Sequence, residues 1–168
     1  MLAGLSCMAG GCESSTGLGR EDFMIRFPHD QLEGTPPSFT ASAISTDSIH
    51  FAWEPAPGAR DYTIVFWRSA SQDSMNRLEA DLSAPAFELQ ADPTTMAEIR
   101  YGRSQNPDDQ RRITVVQYDA PLTKVAATLA AAGMPPGEPL YFVWTVFAEA
   151  GGERWRTPHT KRMQLYLE

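Results

Sequence analysis

Residues 48–54, SIHFAWE, alternate apolar and polar side chains with little interruption. Ile49, Phe51 and Trp53 fall on one side of an extended chain, and His50, Ala52 and Glu54 on the other. A period of two is what a strand with one buried face requires. A helix of about 3.6 residues per turn would scatter the same side chains around its axis. The run ends at Pro55-Ala56-Pro57-Gly58, which interrupts the backbone ladder and turns the chain. Residues 61–68, DYTIVFWR, then begin a second extended run rich in β-branched and aromatic residues. Tyr62, Ile64 and Phe66 share one face, and Thr63, Val65 and Trp67 the other.

The rest of the chain supplies further strands. Residues 38–44 read as a first strand, 87–90 as a short one, and 111–119 as another, with Ile113 and Val115 opposed to Thr114 and Val116. Residues 92–109 are polar and turn-rich and are read as irregular. Residues 120–133 break the pattern: alanine dominates, and Leu122, Val125, Ala126 and Leu129 recur at helical spacing. Asp119 is expected to cap this helix, with Pro121 in its first turn and Gly133 at its end. Residues 139–149, PLYFVWTVFAE, are the strongest strand. Gly151-Gly152 predicts a hairpin, and the chain returns through 153–157 and 161–167. About seven strands and one inserted helix near 121–132 give an all-β, immunoglobulin/fibronectin III-like two-sheet sandwich. Thirteen prolines and twelve glycines supply its turns, and 168 residues suffice for one such domain and a tail.

Charge and motifs narrow the function. Acidic residues outnumber basic ones, 21 to 14, so a phosphate backbone is repelled and nucleic acid is not an expected partner. The only cysteines, Cys7 and Cys12, precede the expected core, which excludes a core disulfide or a Cys-based zinc site there. His29, His50 and His159 share no ligand spacing, and no cofactor motif is present. Glu54 with Glu149 is the one carboxylate pair nominated for glycosidase chemistry, and no sequence pattern places the two together. The expectation is a non-enzyme.

Residues 1–12, MLAGLSCMAGGC, contain no charged side chain and end in small residues before Cys12. They resemble the end of a bacterial lipoprotein signal peptide, which implies Cys12 as the lipidated residue, with Cys7 a second candidate. An acyl anchor adds about 0.8 kcal/mol of bilayer affinity per buried CH₂. The lipid bilayer is then a partner, and the outer membrane and cell surface the location. Residues 13–37 read as a flexible tether, with a short apolar patch at 23–27 able to pair at a sheet edge. The sandwich is expected over 38–168.

Two longer segments carry a family resemblance. SIHFAWEPAPGARDYTIVFW joins a tryptophan-ended strand, a turn and a tyrosine-containing strand. APLTKVAATLAAAGMPPGEPLYFVWTVFAEAGG joins a helix, a Pro-Gly turn, a long strand and a hairpin. Together with the Cys12 region and its polar tether, these resemble the N-terminal domain of SusE-type proteins, outer-membrane lipoproteins of glycan-utilisation systems in Bacteroidetes. The resemblance spans about residues 36–168. It implies an immunoglobulin-like fold, a polysaccharide or oligosaccharide such as starch as ligand of the system, and SusD-like and transporter proteins as partners. Starch sites in that family usually lie in additional C-terminal domains, so the implied role is a scaffold or weak glycan binder.

Four tryptophans divide into two pairs. Trp53 and Trp144 lie among apolar neighbours and are expected in the core. Trp67 ends a strand, and Trp155 lies between Arg154 and Arg156. Trp155, Arg154, Arg156, Tyr141 and Trp67 form the candidate glycan platform, in which aromatic faces stack on sugar C–H groups and arginines bond the hydroxyls. The competing reading is that Trp155 covers the sandwich edge. The alternative function is a generic fibronectin III-like adhesion or interaction domain with no glycan role.

Overall fold

The computed structural model describes Leu5–Ser6 and residues 39–101, 111–151, 153–156 and 160–167; for Leu5, Ser6, Tyr101, Arg111, Glu153, Trp155 and Arg156 only the backbone is described. Among these residues lie ten strands: β1 (Leu5–Ser6), β2 (Thr40–Ile44), β3 (Ser48–Trp53), β4 (Asp61–Arg68), β5 (Phe87–Gln90), β6 (Thr95–Tyr101), β7 (Arg111–Pro121), β8 (Pro139–Ala150), β9 (Glu153–Arg156) and β10 (Lys161–Leu167). Two helices accompany them, α1 (Gln72–Asn76) and α2 (Leu122–Ala131).

All described pairings are antiparallel. Sheet A runs β1-β10-β8-β4-β5, with β9 also on β8; sheet B runs β2-β3-β7-β6. Strands β9 and β10 follow one another along the edge of β8 opposite β4. The chain therefore fills sheet B with β2 and β3, crosses to β4 and β5, returns for β6 and β7, and crosses again to β8. This is an all-β, immunoglobulin-like sandwich.

The interior is closed by the faces the alternation marked. Ile49, Phe51 and Trp53 of β3 meet Tyr62, Ile64 and Phe66 of β4 and Phe142, Trp144 and Val146 of β8. Phe66 is the hub. Its ring stacks on Phe87 at 4.3 Å and stands 6.2 Å from each of Phe51, Phe142 and Trp144. Helix α2 adds Leu122, Val125, Ala126 and Leu129 to the same core.

Helix α2 starts and stops for local reasons. Pro121 is its N-cap, and no side chain caps it. The expected cap Asp119 stays in β7 and pairs with His50 instead. The first helical N–H, that of Leu122, donates to the Asp47 carbonyl at 2.8 Å, which ties the helix to the β2–β3 turn. At the other end Gly133 takes φ +73°. The Met134 N–H reaches the Leu129 carbonyl and the Gly133 N–H the Ala130 carbonyl, both at 3.0 Å, which closes a Schellman turn.

Three elements escape the sequence reading, the first being β1, which lies in the segment read as a signal peptide. Residues 95–101 form β6 within the stretch read as irregular. Its alternation is real, with Ala97 and Ile99 in register with Val115 and Ile113, but Met96, Glu98 and Arg100 dilute it. Charged residues are normal on an edge strand. Helix α1 is one turn long, capped by Ser71, whose Oγ accepts from the Ser74 N–H at 3.1 Å. Its Met75 is fully buried.

Replacing Phe66 with alanine removes the hub of the aromatic core. The expected loss is about 3–5 kcal/mol of unfolding free energy, read from urea or guanidinium denaturation. Leu82→Ala, at a residue 47% exposed, is expected to stay within about 0.5 kcal/mol. Equal effects would contradict the assigned core.

Candidate functional site

Outer faces of the two sheets, rather than the filled interior, are where this fold presents chemistry. On sheet A the outward residues of β8 are Tyr141, Val143, Thr145, Phe147 and Glu149, since Leu140, Phe142, Trp144, Val146 and Ala148 point inward. The upper part of this face is covered. Residues 69–80 fold back over it, so that Leu78 and Ala80 pack on Val65, Trp67 and Val143. Ser69 fixes the fold-back, with its N–H on the Tyr141 carbonyl and its hydroxyl donating to the Glu79 carbonyl, both at 2.8 Å.

The lower part stays open and is polar. The Arg154 guanidinium lies over the Phe147 ring, 4.5 Å from its centroid. Its Nη2 is 3.5 Å from Glu88 Oε1 and its Nε 3.4 Å from Glu149 Oε1. Arg154 thus reaches from β9 across β8 and β4 to β5. Beneath it, Phe147 meets Trp67 at 6.3 Å. Next to Glu88 on β5, Gln90 accepts from the Thr63 hydroxyl at 3.1 Å. All three charged side chains are between 42% and 46% exposed. They are held without being withdrawn from water.

The expected platform is only partly assembled. Arg154 is on it. Trp67 is 4% exposed and forms the layer underneath, because the fold-back that covers it could not be read from a strand ending at Arg68. Tyr141 shares the face but stands six residues from Phe147 along β8, about 20 Å away. Trp155 pairs with Ala148, a register position of the inward set, whereas Arg154 and Arg156 pair with Glu149 and Phe147 of the outward set. The side chains of Trp155 and Arg156 lie outside the described residues, as does Cys12. Phe147, Glu88 and Gln90 are additions. Glu149 opposite Arg154 follows from the Gly151-Gly152 turn register; Glu88 does not, because it comes from a strand two places across the sheet.

Sheet B presents a second cluster. His50 and Asp119 are directly opposed across β3 and β7, with Nδ1 2.5 Å from Oδ1. His50 Nε2 is 3.5 Å from Ser48 Oγ. Carboxylate, imidazole and hydroxyl thus follow in the order of an acyl-transfer triad. A nucleophile must give its proton to the imidazole, however, and Ser48 has a nearer acceptor. Its hydroxyl donates to the Asp47 carboxylate at 3.0 Å and is also 3.0 Å from Ser45 Oγ. The cluster fixes the β2–β3 hairpin. Beside it, Ala41, Ala43 and Ala52 floor a groove of about 240 Å³ rimmed by His50, Gln117 and Asp119. The nominated Glu54 follows β3 of sheet B, while Glu149 stands on β8 of sheet A and pairs with Arg154. Among the described residues no group of three His, Cys, Asp or Glu side chains could hold a metal ion. His29 and His159 lie outside them.

Hydrogen bonds from Ser45 first, and then from Ser48, hold the Asp47 carboxyl below the usual aspartate range. A depressed pKa means that the turn gains from Asp47 above the ordinary aspartate value and loses that gain as pH falls through the lowered one. NMR titration of the side-chain carboxyl should place Asp47 below an unhindered aspartate, and Ser45→Ala should move it back up. An unmoved Asp47 would show that the hydroxyl bonds do not set its proton affinity.

No family model, no curated protein and no solved structure matches this chain.

Proposed function

We propose that this chain is a non-catalytic, lipid-anchored surface module that binds carbohydrate weakly on the open part of sheet A, within a polysaccharide-uptake system. The observation that carries the reading is the Arg154 guanidinium held over Phe147, 4.5 Å from the ring centroid, between Glu88 and Glu149. A sugar presents paired hydroxyls in a rigid ring. A planar guanidinium offers several N–H donors in one plane, and flanking carboxylates accept the hydroxyl protons. Thr63 and Gln90 extend the polar surface on the same face. Hydrogen bonds to charged groups contribute about 1.5–3 kcal/mol each net of the water they exchange, and less where the groups stay as exposed as these. A shallow, hydrated surface of this kind gives an affinity of about millimolar. Multiple copies on a membrane meeting a repeating polymer raise the overall avidity without any new contact.

The membrane half of the proposal rests on the Cys12 segment. Signal-peptidase hydrolysis of the Gly11–Cys12 bond, which follows lipidation of the Cys12 thiol, removes everything before it, including Leu5–Ser6, which pair with Leu167 and Tyr166 on the edge of β10. Expression in a Gram-negative host with labelled palmitate tests this: the wild type should be labelled and Cys12→Ala should not.

Affinity gel electrophoresis against a panel of polysaccharides tests the ligand. Retarded migration is expected on at least one of them. Arg154→Ala should weaken it by about tenfold, the loss of one charge-assisted bond, while His50→Ala on the other sheet should leave it unchanged. No retardation on any polysaccharide would leave a protein-interaction domain as the better reading.

A further inference from the structure

Carboxylates outnumber cations on the open part of sheet A. Directly opposed residues of an antiparallel pair share a face, so Asp61, in register with Glu149, stands on this face beside it. Glu88 lies beyond β4, on β5. Among the described side chains here, Asp61, Glu88 and Glu149 stand against one guanidinium, that of Arg154. Arg162 is the other described cation of this face, but it is in register with Val143, four residues from Phe147 along β8 and about 13 Å away. Arg154 approaches Glu88 at 3.5 Å and Glu149 at 3.4 Å, as ion pairs. Among the described residues, no side-chain hydrogen bond ends on Asp61, Glu88 or Glu149. Asp61 is exposed, as are the other two carboxylates, and the one cation is already shared between two of them.

Such an arrangement sorts ligands by charge. A sugar hydroxyl both donates and accepts. It can give its proton to a carboxylate and accept an N–H from Arg154. A uronate carboxylate or a sulfate ester only accepts. It would meet one guanidinium, already paired, among several groups of its own sign. Like charges at close range cost free energy even where water reaches them. At physiological salt this repulsion fades beyond about 8 Å, so the carboxylates nearest the bound sugar count most. The Phe147 ring offers no way round them, because the Arg154 guanidinium lies over it at 4.5 Å.

We infer that Glu88 and Glu149 are specificity-determining residues, which open this surface to uncharged, hydroxyl-bearing glycans and close it to uronated or sulfated ones. The inference rests on the carbohydrate reading of the Arg154 surface and adds the class of sugar it takes. Arg154 supplies the donors, and the two carboxylates decide which sugars reach them. Asp61 adds to the same field from β4. The net charge of −7 repels any polyanion from the whole molecule, so the local effect has to be separated from the global one.

NMR titration of the isotope-labelled protein with matched short polymers tests the inference. The pairs are dextran and dextran sulfate, pullulan and carboxymethyl pullulan, and hydroxyethyl cellulose and carboxymethyl cellulose. At least one neutral polymer should bind, about fivefold or more tighter than its acidic counterpart. Glu88→Gln/Glu149→Gln should bring that ratio to about twofold or less. Glu98→Gln/Glu138→Gln changes the net charge by the same amount away from this face and should keep the wild-type ratio. The amide spectra also show whether each variant is folded. Acidic polymers binding the wild type as tightly as neutral ones would overturn the inference and leave the carbohydrate reading standing. An equal fall in the ratio for both double variants would overturn it too, by making total charge the cause. Binding to none of the polymers would overturn the carbohydrate reading and the inference with it.

Discussion

The edge-to-face contact of Phe51 with Trp144, 5.0 Å between ring centroids and 82° between planes, joins the two sheets at their centre. Phe51 belongs to sheet B and Trp144 to sheet A, and Phe66 touches both from the neighbouring strand. Phe87 and Phe142 extend the seam toward the edge of sheet A at 5.3 Å and 90°. Such pairs add roughly 0.5–1.5 kcal/mol each beyond the area they bury. They also fix the spacing and angle of the sheets, because rings meeting edge to face tolerate little sliding. Helix α2 closes one end of this seam with Val125 and Leu129, both fully buried.

With the interior settled by apolar contacts alone, the two outer faces are free to differ, and they do. Sheet A carries a charged girdle in which one cation, Arg154, lies between two carboxylates, Glu88 and Glu149, over an aromatic layer of Phe147 and Trp67. Sheet B carries alanine, valine and isoleucine, with a single polar corner at His50 and Asp119. Exposed ion pairs of the first kind contribute about 0–1 kcal/mol to stability. The girdle therefore contributes little to holding the sandwich together. An apolar outer face is the reverse case: it adds stability only when covered.

Legibility followed the range of the interaction. Strands β3, β4 and β10 were readable because alternation is local, and Trp53 and Trp144 were correctly placed inside on that basis alone. Strand β6 was missed because its charged edge residues imitate a loop. The end of α2 was legible in Gly133, since a left-handed residue there is a local requirement. Its start was not: the sequence offered Asp119 as a cap, but a partner 69 residues away, His50, holds that carboxylate in β7. The candidate site divides in the same way. Arg154 could be named from sequence and Glu149 from hairpin register, but Glu88 required knowing that β5 lies beyond β4 in the same sheet.

By itself, the order of apolar and polar residues determined that this chain forms mostly strands, which side of β3 faces the core, and that two sheets enclose a shared interior. Those properties depend on side chains one to four positions apart. Only the tertiary structure decided that residues 69–80 bury Trp67, that Arg154 spans three strands to Glu88, and that His50 faces Asp119. Each of these depends on which strands become neighbours. That choice is made by the packing of the whole core, and no stretch of sequence holds it alone.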